Sequence, residues 1–323
     1  MIAGRGLPGH RAAAPPLWGA IALLLAATKA WALPGVPADA FLLSLARNGK
    51  VVLAAGDDGA ILRSVDDGAH WSVVSAPTRA TLARLFMQPG GPDYAVGFDA
   101  TILRSDDNGL HWTRQFSDGR ADNPLFGIAA LPDGAALAVG GFGHAYSLPE
   151  GGGSWHRQPI LAADDDFHLN DLLRAGPQRL LLVGESALVM VSDNSGAQWR
   201  YVNVPTQGSL FGAVVVSPRR WLVFGLRGHA LATDDSGLHW RTIDTGTTAE
   251  LLGGTKLDDG RVVVVGNRGT AVLLDAALQT ARLLPIVSRA NFADCLQTQS
   301  GAVLAAGDNG LTILPVPPAS ADH

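Results

Sequence analysis

A short apolar run that ends in glycine recurs seven times along this chain of 323 residues. The spacings between successive glycines are 41, 43, 44, 41, 41 and 41 residues. A fixed period of roughly 40–45 residues is typical of arrays in which each repeat forms one small sheet. The glycines are Gly56, Gly97, Gly140, Gly184, Gly225, Gly266 and Gly307.

The residues on both sides of each glycine repeat as well. Each unit divides into four short β-strands, which in the second unit are LARLFMQ, DYAVG, TILRS and WTRQF, separated by turn-forming residues. The pattern predicts an all-β fold, a seven-bladed β-propeller with four-stranded blades over residues 33–316. Fifteen residues before the glycines stand apolar anchors, Phe41, Leu82, Leu125, Leu169, Leu210, Leu251 and Phe292.

An acidic turn precedes the fourth strand of four units, with the pattern Ser/Thr-x-Asp-x-Gly-x-x-Trp in three of them and Asn194 in place of the aspartate in the other. We expect a structural role, because the carboxylate can accept backbone N–H groups, glycine permits positive φ, and the tryptophan can pack between blades. Calcium binding is the alternative, but it needs several carboxylates per loop. The turn residues are Asp66, Gly68 and Trp71; Asp107, Gly109 and Trp112; Asn194, Gly196 and Trp199; and Asp235, Gly237 and Trp240.

The two ends of the array indicate how the ring closes. The seventh unit has three predicted strands and no fourth, while Trp31 stands 10 residues before Phe41, close to the spacing in other units. We therefore expect the segment before Phe41 to complete the last blade and remove an exposed edge.

The first 32 residues differ from the rest of the chain. Arg5, His10 and Arg11 precede the apolar run PPLWGAIALLLAA, and small residues precede a cleavage site after Ala32, as in a secretory signal peptide. Cleavage there would remove Trp31, which conflicts with the closing strand. Without Arg5, Arg11 and Lys29, 21 basic residues face 29 acidic ones, a net charge of −8 that disfavours nucleic acid as a partner. Residues 317–323 form a C-terminal tail.

Candidate site residues lie where the inner strands should line a central channel. Two residues after the apolar anchors stand Leu43, three glycines and the charged Arg84, Asp171 and Asp294. His168 and Glu250 directly precede two inner strands and should rim the entrance. The alternative is a water-filled channel whose charges satisfy one another. Asp171 and Asp294, three blades apart, are expected to be too distant for the acid pair of a glycosidase.

The loops between second and third strands carry opposite charge in different units. Asp57, Asp58 and Asp99 belong to units 1 and 2, whereas Arg227 and Arg268 belong to units 5 and 6. A face divided by sign would favour one orientation of a docked protein. Scattered surface charge is the alternative.

The segments GAILRSVDDGAHW and TILRSDDNGLHW resemble the photosystem II stability/assembly factor propellers of chloroplasts, cyanobacteria and other bacteria, which are grouped with BNR/Asp-box repeat proteins. The resemblance implies a non-enzymatic lumenal or periplasmic propeller that binds membrane-protein partners during assembly through an arginine patch. Arg63 and Arg104 match the patch positions. Val191, Ala232 and Leu273 replace arginine in later units, so the patch is partial.

The expected function is that of an exported, periplasmic scaffold that binds a membrane or periplasmic protein complex and assists its assembly. We expect a monomer without cofactor or metal that does not span the membrane once the signal peptide is removed. The alternative function is carbohydrate binding or glycoside hydrolysis at the channel mouth.

Overall fold

The fold was analysed in a computed structural model. It describes residues 33–37, 39–119, 123–162 and 164–319. The predicted signal peptide, including Trp31, lies outside these residues, as does the tail beyond residue 319. No helix in the described part of the chain is long and apolar enough to cross a membrane.

Seven antiparallel sheets follow one another along the chain, six with four strands and the last with three in the described ranges. The first strands of consecutive sheets contact each other, and the first strand of the first sheet also contacts the first strand of the last, so the sheets form a closed ring. The predicted seven-bladed β-propeller is confirmed.

Blades 1 to 4 contain sixteen strands. They are β1 Leu42–Asn48, β2 Val51–Gly56, β3 Ile61–Ser64 and β4 Ser72–Val74; β5 Leu82–Phe86, β6 Asp93–Gly97, β7 Ile102–Ser105 and β8 Thr113–Phe116; β9 Leu125–Ala130, β10 Ala136–Gly140, β11 Ala145–Leu148 and β12 His156–Arg157; β13 Leu169–Arg174, β14 Leu180–Gly184, β15 Val189–Ser192 and β16 Arg200–Tyr201.

In the described part of the chain, blades 5 to 7 contain eleven strands. They are β17 Leu210–Val215, β18 Trp221–Gly225, β19 Ala230–Thr233 and β20 Arg241–Ile243; β21 Leu251–Lys256, β22 Val262–Gly266, β23 Thr270–Leu274 and β24 Ala281–Leu283; β25 Phe292–Gln297, β26 Val303–Gly307 and β27 Gly310–Leu314.

The second strand of each blade is buried along almost its whole length, because both of its faces contact neighbouring blades. In β2, Val52 and Ala54 pack into the seam with blade 7, whereas Leu53 and Ala55 pack into the seam with blade 2. Burial on both faces explains why these strands are continuous apolar runs rather than alternating ones.

The repeating glycine occupies a place where no side chain fits. A Cβ at Gly266 would lie 1.9 Å from the carbonyl oxygen of Glu250, the residue that precedes β21. The next N–H, that of Asn267, donates to the same oxygen at 3.0 Å. All seven blades repeat this arrangement, with the hypothetical Cβ 1.9–2.3 Å from the carbonyl oxygen. The glycine therefore allows the end of each second strand to lie directly against the start of the first strand.

Blade 1 departs by one residue from the expected register. Leu42, not Phe41, pairs with Gly56, and Leu42 is buried whereas Phe41 is 44% exposed. The expectation for Phe41 was wrong because this blade has one residue fewer between the anchor and the glycine. The corresponding channel residue is consequently Ser44 rather than Leu43.

The junction between blades 7 and 1 has contacts of its own. The Asp67 carboxylate accepts the N–H groups of Gln299 and Ser300 at 2.7 and 2.6 Å. Residues 33–37 form no strand, but the Pro34 carbonyl accepts the Trp71 N–H at 2.9 Å. The fourth strand of blade 7 stays a prediction, since the segment that would supply it begins outside the described residues.

The acidic turns share one hydrogen-bond pattern. In blade 2, Asp107 Oδ1 accepts the His111 N–H at 2.9 Å, and Ser105 Oγ accepts the Gly109 N–H at 2.9 Å. Trp112 Nε1 donates to the Gly109 carbonyl at 3.0 Å, and the indole lies in the seam with blade 1 beside Leu53. Blades 1, 4 and 5 repeat these bonds, with Asn194 in place of aspartate in blade 4.

Replacing Trp112 with alanine should lower the free energy of unfolding by about 3–5 kcal/mol, because it empties a buried seam between two blades. The matched control is Leu110→Ala in the same turn, where the side chain is 47% exposed and about 0.5 kcal/mol or less is expected. Denaturant unfolding of both variants gives the comparison. Equal stability of the two would contradict this placement of the indole.

Candidate functional site

The centre of the ring is lined by one residue from each first strand, directly after a local register irregularity. In all seven blades these positions, which we call the hub positions, pair with the residue directly before the repeating glycine of the same blade. They are Ser44, Arg84, Gly127, Asp171, Gly212, Gly253 and Asp294.

Three charged hub residues meet at the channel. Arg84 Nη2 lies 2.6 Å from Asp171 Oδ1, and Arg84 Nη1 lies 3.8 Å from Asp294 Oδ2. The Arg84 side chain is 22% exposed and each carboxylate side chain 7%. The expectation that Asp171 and Asp294 are far apart was wrong, because one guanidinium group reaches both of them from a third blade.

The hub carboxylates also accept backbone N–H groups of the following blade. Asp171 Oδ2 accepts the Ala213 N–H at 3.3 Å, and Asp294 Oδ2 accepts the Leu45 N–H at 2.9 Å. Ser44 Oγ continues the series by accepting the Leu85 N–H at 3.0 Å. These side chains therefore join blades 4 and 5, 7 and 1, and 1 and 2.

Burial and charge act in opposite directions on the hub. Burial raises the pKa values of Asp171 and Asp294, while the positive charge of Arg84 opposes the rise. The two carboxylates in turn raise the pKa of Arg84 despite its burial. A buried charge is tolerated where it is paired and hydrogen-bonded, and each carboxylate here has both kinds of partner.

Glycine occupies the remaining hub positions, where neighbouring atoms lie too close for a Cβ. A Cβ at Gly253 would lie 2.5 Å from the Ala293 carbonyl oxygen, so the neighbouring blade approaches too closely for a side chain. A cavity of about 240 Å³ lies beside Arg84 and Asp171, and Phe86, Arg174 and Gly253 also line it. The guanidinium and carboxylate groups that line this cavity could contact only a small polar ligand or water.

The structure places His168 and Glu250 away from this charged cluster. The Phe142 N–H donates to His168 Nδ1 at 3.2 Å, and the Asn267 amide donates to Glu250 Oε2 at 2.7 Å. Both residues lie on the face that carries the tight turns between second and third strands, which we call the turn face.

Each of six turns presents a residue with left-handed backbone at its apex, although none is glycine. The φ angles range from 51° to 59°, a region that costs most residues about 1 kcal/mol or more. Each turn is held at its base by the carbonyl contact beside the repeating glycine. In order around the ring the apex residues are Asp58, Asp99, Phe142, Ser186, Arg227 and Arg268.

The charges of these apices are divided between the two sides of the turn face. Asp58 forms two hydrogen bonds of 2.9 Å with Arg79, so part of the acidic side is neutralised. Arg227 and Arg268 form no ion pair with any described residue. The structure thus brings these two arginines to neighbouring turns, where they flank a groove of about 440 Å³.

An aromatic strip, made of Phe98, Phe126, His168 and Phe142, crosses blades 2 to 4 on the turn face. Successive ring centroids lie 6.5, 6.4 and 4.8 Å apart. Phe98 is 38% exposed and Phe142 48%. Sequence reasoning missed this strip, although a phenylalanine at the apex of the blade 3 turn was an available signal.

Arg63 and Arg104 are not part of the turn face. Arg63 Nε donates to the Asn108 carbonyl at 2.8 Å, and Arg104 Nη2 lies 2.7 Å from Asp106. Both therefore already have partners in or next to the acidic turns. They do not meet Arg227 and Arg268, so the four arginines form no single patch.

In the acidic turns, the aspartate carboxylates are engaged by residues of the same turn. His111 Nδ1 lies 2.6 Å from Asp107 Oδ2 in blade 2. Burial raises the pKa of Asp107, but the hydrogen bonds from the His111 N–H, the His111 ring and the Ser105 hydroxyl together outweigh it and lower this pKa to about 2. Blades 1 and 5 contain the same pair. Among the described residues, no three metal-ligating side chains come together.

Comparison with known proteins shows the fold. Two solved structures described as YCF48 align with 16% identity: that from Cyanidioschyzon merolae has a TM-score of 0.70 and covers 87% of this chain and 97% of its own. That described as YCF48 bound to D1 peptide has a TM-score of 0.69 and covers 88% and 100%. The chain matches no protein-family model and no curated protein.

Other structural neighbours differ widely in what they do. The WD40 β-propeller domain of Doa1 aligns with a TM-score of 0.67 and 13% identity over 87% of this chain and 95% of its own. A streptogramin B lyase aligns with a TM-score of 0.65 and 13% identity over 87% and 94%. Similarity at this level establishes a β-propeller and leaves the activity open, because one fold hosts many functions.

Replacing Arg84 with methionine should destabilise the protein by about 3–5 kcal/mol at pH 8, because two buried carboxylates lose their cation. Their pKa values are already raised and rise further, so stability is lost as pH increases through those values. The deficit should therefore shrink towards pH 4. Denaturant unfolding across this pH range measures it.

The matched control is the triple variant Arg84→Met/Asp171→Asn/Asp294→Asn. It removes all three charges together and should recover much of the stability at pH 8. A single variant as stable as the wild type at pH 8 would contradict a bracing role for Arg84.

Proposed function

We propose that this protein is an exported propeller that binds a membrane or periplasmic protein complex through its turn face and assists the assembly or stability of that complex. The observation that carries the proposal is the concentration of exposed aromatic rings and unpaired arginines on this one face. Aromatic and arginine side chains are the types that contribute most to protein interfaces.

The turn face is also held in place, which lowers the cost of binding. The carbonyl contact beside each repeating glycine fixes the base of every turn, so the apex residues are positioned before a partner arrives. A rigid face with an apolar strip on blades 2 to 4 and positive charge on blades 5 and 6 favours a partner with an apolar segment next to an acidic one.

Two further observations support a protein partner. The neighbour described as YCF48 bound to D1 peptide is a protein of this fold in complex with a peptide. The N-terminal run PPLWGAIALLLAA supports export, which would bring the propeller to the partner's compartment.

Carbohydrate binding or glycoside hydrolysis is the second candidate, favoured by one observation. Asp171 and Asp294 both reach Arg84 beside a cavity of about 240 Å³. Their oxygens, however, already accept backbone N–H groups of Leu172, Ala213, Leu45 and Cys295. A carboxylate that is engaged in this way braces the ring and is poorly placed to transfer a proton.

Affinity capture from solubilised cell envelopes tests the proposal. The wild type should recover one membrane or periplasmic complex, and Phe142→Ser together with Arg227→Glu and Arg268→Glu should recover at least about tenfold less without unfolding. The matched control carries Val73→Ser, Arg114→Glu and Arg282→Glu on outer strands, at exposed positions, and should capture normally.

A glycan array on the same preparations separates the two candidates. Binding of a sugar that is lost on Asp171→Asn, with no protein captured by the wild type, would replace the scaffold proposal with the carbohydrate one.

A further inference from the structure

Blades 1 and 6 contain the same three-residue turn before the next first strand. In blade 1 the Ala80 N–H donates to Thr78 Oγ1 at 3.0 Å, and in blade 6 the Ala290 N–H donates to Ser288 Oγ at 3.0 Å. An arginine stands in the middle of each turn, Arg79 in blade 1 and Arg289 in blade 6. The two arginines therefore occupy equivalent places on the turn face.

The turn apices opposite these arginines are equivalent too. A Cβ at Gly59 would lie 2.2 Å from the Thr78 carbonyl oxygen, and a Cβ at Gly269 would lie 1.9 Å from that of Ser288. The residue before each glycine has nearly the same backbone, φ 51° at Asp58 and φ 59° at Arg268. Both blades thus bring the apex residue to the arginine in the same way.

The chemistry of the two blades is opposite. In blade 1, Arg79 Nε and Nη2 bind the two oxygens of Asp58 at 2.9 Å each. In blade 6 the apex is Arg268, so a second guanidinium stands where Asp58 supplies the carboxylate. Arg289 is exposed, and neither arginine forms an ion pair within the described part of the chain.

The adjoining groove extends this positive charge to blade 5. Arg227 and Arg268 line it together with Thr248 and Asn291, over about 440 Å³. Among the described lining residues Glu250 is the one carboxylate, and the Asn267 amide holds it at 2.7 Å. Asp308 of blade 7 is a second carboxylate nearby, and it accepts the Asn291 N–H at 3.1 Å. The sector that we call the basic sector, Arg227, Arg268 and Arg289, therefore has three guanidinium groups near two carboxylates, and its positive charge exceeds what these neighbours neutralise.

We propose that the basic sector binds the aspartate or glutamate side chains of an acidic protein segment, and that one of these carboxylates bridges Arg268 and Arg289 as Asp58 binds Arg79. This inference rests on the proposed function and names the chemistry of the partner. Guanidinium groups bind carboxylates in a bidentate manner and more strongly than neutral donors do.

A short acidic peptide fits this sector better than a long polyanion. The chain has a formal net charge of −5, and Asp57, Asp58 and Asp99 lie on the opposite side of the turn face. An extended nucleic acid or sulfated polymer would meet those carboxylates, whereas a segment of a few residues would not.

The test uses a fluorescein-labelled peptide that contains six consecutive glutamates, with a six-glutamine peptide as its control. Fluorescence anisotropy should show binding of the glutamate peptide alone, and salt should weaken it. Arg268→Asp should weaken binding at least about tenfold, because the new carboxylate pairs with Arg289 as Asp58 pairs with Arg79. Aspartate also tolerates the left-handed backbone better than arginine does.

Two variants guard against a folding defect. Arg289→Gln lies outside the strained apex and should also weaken binding, with an unchanged melting temperature. Asp58→Asn frees Arg79 on the side of the turn face that the short peptide does not reach, and it should leave binding of the glutamate peptide unchanged to within about twofold. The control Arg114→Gln/Arg157→Gln/Arg282→Gln changes exposed outer-strand arginines and should bind like the wild type, although it lowers the net charge by more than either test variant does.

The outcomes separate this inference from the proposed function. If heparin competes as well as the glutamate peptide, or if the control variant weakens binding as much as Arg289→Gln, the assignment to an acidic segment is overturned. If Arg268→Asp and Arg289→Gln capture the envelope complex normally, the inference falls and the proposed function stands. If no complex is captured but peptide binding follows the predicted order, the proposed function falls and the inference stands.

Discussion

The structure depends on a contact between the end of each second strand and the start of the first strand. A carbonyl oxygen lies where a side chain would begin, and the next N–H donates to that same oxygen in every blade. Only glycine, which has no Cβ, fits at this position. One hydrogen bond thus fixes both the start of the first strand and the tight turn of each blade. Seven short sheets acquire the same geometry without a disulfide, and the chain's one cysteine, Cys295, is buried and free.

The hub completes at the centre what this contact does within each blade. Arg84 of blade 2 connects Asp171 of blade 4 with Asp294 of blade 7, and each carboxylate accepts an N–H group from the blade that follows its own. These buried charges therefore join the blades to one another. Exposed groups without such contacts lie on the turn face, with the aromatic strip on blades 2 to 4 and the basic sector on blades 5 and 6. We therefore propose that a partner binds this face.

Much of the fold could be predicted from the sequence, because the close contact and the hydrogen bond at the repeating glycine recur with the same period as the sequence repeat. The register of blade 1 was missed by one residue, since Phe41 and Leu42 are both apolar and only burial distinguishes them. The alternative interpretation, that the channel charges satisfy one another, describes Arg84, Asp171 and Asp294 correctly. That one guanidinium group reaches both aspartates could not be predicted, because it depends on the diameter of the channel. The role proposed for Arg289 could not be predicted from the sequence either, since its equivalence to Arg79 follows from the turn geometry and from the absence of aspartate at position 268.

The most direct test of this account is the free energy of unfolding of Gly266→Ala, compared with Gly208→Ala, by denaturant titration. At Gly208 the nearest atom to a new Cβ is the flexible His229 ring at 3.3 Å, whereas at Gly266 it is a backbone oxygen at 1.9 Å. We predict a loss of about 3 kcal/mol or more for Gly266→Ala, from backbone displacement and a broken hydrogen bond, and less than about 1 kcal/mol for the control. Equal losses in the two variants would contradict the claim that this contact sets the blade.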